Sequence, residues 1–189
     1  MADLKDKKDR AVNFKIPDHG MPNNDRFYIA NLTFNTMKIR WLGHSAVEIL
    51  YRGKKILIDP FVEKSEGLNL RPNLKPDLIC VIHGYSDHLG STIEIAKRAN
   101  SKVMAIFELA MYLEKRGTNR VGMNTGGSIN IDGIRISMVE ARHSSSIIDE
   151  ESGRIEYGGE PCGYIFGLSK TLYHAGCSFL WNENHSRDV

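Results

Sequence analysis

The sequence predicts an α/β (α+β) fold, with sheets covered by helices. Three observations carry that expectation. SINIDGIRISMVEA alternates apolar and polar residues about Asp132-Gly133, and CGYIFGL and KTLYHAG form a second such pair around Ser169-Lys170; alternation about a short turn is a hairpin signal. DLICVIH is a short continuous apolar run rich in Ile and Val, which reads as a strand buried on both faces. Between these lie two segments of helical character, so strands come first and helices and strands mix afterwards.

The elements follow in order. Residues 1–36 are rich in Lys, Asp and Asn, carry Pro17 and Pro22, and keep no apolar period; they read as a disordered extension. At Met37 the pattern changes, and 37–189 reads as the folded unit. KIRWL and AVEILY are strands joined by the Gly43-His44-Ser45 turn, and KKILIDP is a third strand beyond Arg52-Gly53. Phe61 to Pro76 is polar and Pro-bearing, a long surface loop. The DLICVIH strand delivers His83 at its C-terminal end. Thr92 to Ala99 is helical, with Ser91 as the expected N-cap. KVMAIF is a strand, and Glu108 to Arg116 is a helix ended by Gly117.

Composition excludes several classes of function. A net charge of +2 over 189 residues argues against nucleic acid or an anionic membrane as a partner. No apolar run approaches a membrane span. The N-terminus, MADLKDKKDR, has no apolar core of the kind a secretory signal needs. Cys80, Cys162 and Cys177 cannot complete a set of disulfides, so a reducing cytoplasm is the expected compartment.

The chemistry concentrates in VIHGYSDHLG, Val81 to Gly90. His83, Asp87 and His88 stand together after a buried strand. Imidazole nitrogens and a carboxylate are ordinary ligands for zinc and similar divalent ions. Gly84 and Gly90 allow a tight loop. An adjacent Asp and His in an irregular loop can address two ions a few ångströms apart. A single histidine here would read as a solvated loop residue; H-x-Y-x-D-H after an apolar strand reads as a metal loop. His143 likewise ends an alternating strand, IRISMVEA, and opens a Ser-rich loop.

This loop resembles the H-x-H-x-D-H signature of the metallo-β-lactamase superfamily. MKIRWLGHSAVEILYRGKKILIDPF, the VIHGYSDHLG loop, ARHSS and TLYHAG are together similar to the small metal-dependent hydrolases of its ascorbate-phosphate-lactonase-like branch, from about Met37 to Gly176. The resemblance implies an αββα four-layer sandwich with the active site at one edge between the sheets. It implies His83 and His143 as ligands of a first metal and Asp87 and His88 as ligands of a second. Asp87 would also orient the attacking water as a general base, and His44 would support catalysis or touch substrate. Asp59 would be either an acid that orients a ligand or a strand-end cap. His174 falls in a family motif without an assigned role. The implied cofactor is a divalent metal, zinc first, with manganese or iron as alternatives, and the implied partner is a small-molecule substrate.

Three positions depart from the pattern. Tyr85 stands where the family has a histidine ligand, and a phenol that is neutral near pH 7 is a poor zinc ligand. Cys177 stands where the family has a bridging aspartate; it reads either as a thiolate ligand or as a chance thiol. Beyond Gly176, CSFLWNENHSRDV does not resemble the family, and the final ligand-bearing segment is missing. A reading-frame shift after Gly176 is the expectation there, making the chain a truncated member whose sandwich is incomplete at the C-terminus. Uncovered apolar surface and open strand edges then predict marginal stability or a homo-oligomer. Two functions follow: an impaired hydrolase of esters, lactones or phosphodiesters acting by metal-bound hydroxide, or a catalytically inactive remnant or binding protein of the same fold.

Overall fold

A computed structural model describes residues 32–34, 37–62, 74–148 and 152–177. The chain opens with β1 (Leu32–Phe34), β2 (Met37–Gly43), β3 (Ala46–Tyr51) and β4 (Lys54–Ile58). After β5 (Leu78–Cys80) come α1 (Ser86–Leu89), α2 (Thr92–Ala99), β6 (Lys102–Ile106), α3 (Phe107–Glu114) and β7 (Asn119–Met123). The remainder is strand: β8 (Ser128–Ile131), β9 (Ile134–Glu140), β10 (Ser146–Ile148), β11 (Ile155–Tyr157), β12 (Cys162–Gly167) and β13 (Thr171–His174).

The large sheet runs β1-β2-β3-β4-β5-β6-β7, and the small one β13-β12-β9-β8. Strands β1 to β4 pair antiparallel because short turns join them; Arg52 and Gly53 both take left-handed φ angles (49° and 78°), as a two-residue hairpin turn requires. Asp132 (52°) and Gly133 (80°) do the same between β8 and β9, pairing Ile131 with Ile134. From β4 onward the pairing is parallel. Parallel neighbours need crossovers, and α2 and α3 supply those between β5 and β6 and between β6 and β7. The amphipathic α2 buries Ile95 and Ala96 and turns Glu94 and Arg98 outward as an ion pair at 2.9 Å.

Both sheets feed one core. Ile56, Ile58, Ile79 and Met104 from the large sheet meet Ile134, Ile136, Met138, Tyr164 and Phe166 from the small one. The segment 81–82, which extends β5, is the seam: Tyr164 donates its hydroxyl to the Val81 carbonyl at 2.9 Å, and the Cys162 amide donates to the Ile82 carbonyl at 2.9 Å. His83 is therefore carried into the join between the sheets.

The expected α/β (α+β) class and both hairpins are present, and α2 occupies the expected 92–99. Four details differ. Leu32–Phe34, expected to be disordered, pairs with β2; the rest of 1–36 lies outside the described residues. Ser91 occupies the N-cap position without a side-chain cap hydrogen bond; at φ −86° and ψ 20° its backbone is not in the extended region that a capping side chain uses. Asp87 and His88 lie on the single helical turn α1, not in an irregular loop. The ribbon β10-β11 carried no alternating signal long enough to find. Residues 178–189, where the frame shift was expected to act, and most of the Phe61–Pro76 loop lie outside the described residues. No helix among the described residues is long and apolar enough to cross a membrane.

Candidate metal centre

The site assembles from strand ends. β4 is followed at once by Asp59, which is fully buried and takes a left-handed φ of 44°. Its Oδ1 accepts the Ile82 amide at 3.0 Å, and its Oδ2 lies 2.9 Å from His88 Nδ1. Asp59 thus joins the β5 extension to α1, doing the orienting work rather than capping a strand. Ser45 Oγ also lies 2.9 Å from His88 Nδ1, and 2.9 Å from His44 Nδ1. One proton assignment satisfies every contact: His88 Nδ1–H donates to Asp59 and Ser45, the Ser45 hydroxyl donates to His44 Nδ1, and His44 Nε2–H faces Asp87 Oδ2 at 3.6 Å.

With Nδ1 committed, His88 presents Nε2. Cys177 Sγ stands 3.2 Å from it and Asp87 Oδ2 3.7 Å. Cys177 reaches this point because Gly176, at φ 65°, packs so tightly on Ile82 that an added Cβ would lie 3.0 Å from the Ile82 side chain and from the Cys162 carbonyl. His83 is 1% exposed; its Nδ1 receives the Tyr85 amide at 3.3 Å, and its Nε2 is buried with no hydrogen-bond partner. An unpartnered buried nitrogen is expensive, and ligation of a cation satisfies it once its proton has moved to Nδ1 and the Tyr85 contact is given up.

Two groups of three converge, the ligand atoms within 4.8 Å of one another in each: His83, His88 and Cys177, and His44, Asp87 and His88. The first offers two imidazole nitrogens and one sulfur, a donor set suited to zinc and its neighbours. His143 belongs to neither. Its ring stacks on His83, centroids 4.8 Å apart and planes within 5°, and its Nδ1 donates to the Ser144 carbonyl at 2.8 Å. It turns toward the 83–88 segment and is exposed. The Tyr85 hydroxyl is 2.6 Å from Ser144 Oγ, so the phenol ties the two loops together. Gly84 makes the same join tight: an added Cβ would sit 2.8 Å from the Ser146 carbonyl. Its role is close approach rather than a turn.

The electrostatics divide the two central histidines. Burial, helped by the neighbouring His88 and His143, lowers His83 to about 3. Burial also opposes charge on His88, but hydrogen bonds to Asp59 and Cys177 outweigh it and raise its pKa to about 10. His174 lies on β13 opposite Tyr164, and burial lowers its pKa. Its Nδ1 accepts the Gly176 amide at 3.3 Å, which helps set the turn before Cys177. The sequence motif flagged His174 and the structure gives it this positioning contact. Ser45 is the residue the sequence reading missed; only its place beside His44 in the turn could have hinted at it.

A family model described as a beta-lactamase superfamily domain matches residues 38–185. A UPF0173 metal-dependent hydrolase of Methanosarcina barkeri is 45% identical over 149 residues, covering 78% of this chain and 64% of its own. One from Bacillus cereus is 44% identical over 149 residues, covering 78% and 66%. The chain thus spans about two thirds of the length of these curated relatives. Among solved structures, Igni18, a metallo hydrolase from the archaeon Ignicoccus hospitalis, matches with a TM-score of 0.67 at 32% identity, covering 79% of this chain and 64% of that one.

Proposed function

The chain belongs to the metallo-β-lactamase superfamily, and on that premise we propose that it is a metal-dependent hydrolase of esters, lactones or phosphodiesters. The observation that carries the proposal is the convergence of His83, His88 and Cys177 around a buried, unpartnered ring nitrogen. These residues fit a divalent cation in number, type and spacing. Zinc suits them best, with manganese or iron as the alternatives. When bound, such an ion supplies Lewis acidity to a carbonyl or phosphoryl oxygen and eases the ionisation of water.

The chain's own residues divide the remaining work. Asp59 fixes the tautomer and the ring plane of His88. Asp87 is 46% exposed, so its carboxylate is open to water and substrate, and it serves as the base that takes the proton from the attacking water. His44, 3.6 Å away, holds Asp87 in position and is held in turn by Ser45. The buried seam on the far side excludes water from His83 and His88. Three cysteines that cannot complete a set of disulfides support a reducing, cytoplasmic compartment, and the family resemblance supports a small-molecule substrate.

The test is hydrolysis of a simple aryl ester, a lactone and an aryl phosphodiester by metal-loaded protein, with and without chelator. Chelator-sensitive turnover of one class, reduced about 10²- to 10⁴-fold by Asp87→Asn, is the expected result. One observation favours a second reading, a metal-binding protein of the same fold without turnover: the Tyr85 phenol is engaged by Ser144 where the family supplies a ligand. Stoichiometric metal binding with no hydrolysis of any of the three substrates would select that reading and refute the first.

A further inference from the structure

Resting on the metal-dependent reading above, we propose that this chain holds one ion rather than two, in a thiolate site made by His83, His88 and Cys177. The argument begins at His88. Its Nδ1 is spent on Asp59 and Ser45, each at 2.9 Å. Nε2 is left, and it lies 3.2 Å from Cys177 Sγ and 3.7 Å from Asp87 Oδ2. An imidazole nitrogen has one lone pair in the ring plane and can serve one cation. The two convergent groups share this nitrogen, so they compete for a single ion.

Burial decides between them. His83 and His88 are each 1% exposed, and His83 Nε2 has no partner among the described residues. Leaving a buried polar atom unpaired is unfavourable, and a cation held among these three residues removes that penalty once the His83 proton moves from Nε2 to Nδ1, at the expense of the long 3.3 Å contact from the Tyr85 amide. The other group has no such need, because Asp87 is half open to solvent and already faces His44. Asp87 then stands beside the ion as a base rather than under it as a bridge.

The donor set also sets the metal. Two imidazoles and a thiolate are softer than the all-nitrogen and carboxylate set implied by the family pattern, and they favour zinc or cobalt over manganese or magnesium. His143 lies outside this group: its exposed ring lies flat against His83 instead of closing on the three donors.

Titration of the full chain with Co²⁺ alone tests this. The expected result is one Co²⁺ per chain with a sulfur-to-cobalt charge-transfer band in the near ultraviolet. Cys177→Ser loses the band, and His143→Ala keeps both the band and the stoichiometry. If Cys177→Ser does not fold, the stoichiometry and band of the parent chain still decide. Two Co²⁺ per chain, one Co²⁺ without a sulfur band, or loss of the band in His143→Ala would overturn the single thiolate site while leaving metal dependence intact. No Co²⁺ binding at all would overturn both this site and the metal-dependent reading it rests on.

Discussion

Replacing Asp59 by Asn changes no volume and removes one charge, and its consequence can be followed atom by atom. Asp59 accepts two hydrogen bonds, from the Ile82 amide at 3.0 Å and from His88 Nδ1 at 2.9 Å. An asparagine offers one acceptor and one donor. If its oxygen faces Ile82, its NH2 meets His88 Nδ1, which must give up its proton to accept. The proton then moves to Nε2, and the lone pair that faces Cys177 disappears. If the amide is turned, its NH2 meets the Ile82 N–H, two donors in a fully buried position. Either way the metal donor or the seam suffers. Loss of such an outer partner lowers metal affinity by about 10- to 100-fold, equivalent to about 1.4–2.7 kcal/mol. Competition of Zn²⁺ against a chelating dye measures it, with circular dichroism to confirm that Asp59→Asn is folded. An affinity within about threefold of the parent in a folded variant, well short of the loss expected for such a partner, would refute the tautomer argument.

Three other outcomes are expected. In metal-free protein, His83 (about 3) and His88 (about 10) shift in opposite directions from the unfolded value of 6.5. Below pH 6.5 the unfolded chain takes a proton at His83 that the folded chain refuses, so stability falls on acidification, by about 2 kcal/mol between pH 6.5 and 5. Above pH 6.5 the unfolded chain sheds the His88 proton that the folded chain keeps until about pH 10, so stability falls on that side too. Urea unfolding in chelator at pH 5, 6.5 and 8.5 should place the maximum at the middle value, and a flat profile would contradict the assignment. Tyr164→Phe strips the Val81 carbonyl of its buried donor and should cost about 1–3 kcal/mol in urea melts; an unchanged midpoint would mean that the bond does not stitch the sheets. Tyr85→His puts an imidazole where a phenol stands 5.1 Å from His83, and it should tighten zinc binding in the dye competition. No gain would mean that the loop does not aim position 85 at the ion.

The sequence revealed what has local chemistry. Asp132-Gly133 fixed a hairpin because a two-residue turn needs left-handed residues, and α2 was legible from its amphipathic period within the correct bounds. His83 and His88 were legible because both sit in a motif that follows an apolar strand. The parts that depend on distant segments were not. Nothing local says that Cys177 reaches His88, since that follows from Gly176 packing on Ile82. Nothing local says that Ser45 reaches His88, or that His143 stacks on His83 instead of closing on it edge-first. Tyr85 was read as a missing ligand, which its sequence context justified, but its bond to Ser144 gives it a structural task that only the fold could reveal.

The contact between Cys177 and His88 spans 89 positions of the chain. A cation gripping both, as proposed, would act as a reversible staple, closing a loop of 89 positions and shrinking the entropy of the unfolded ensemble much as a disulfide would. Stripping the ion opens the staple at the exit of β13, and a thiol reagent should find Cys177 there long before the interior strands let go.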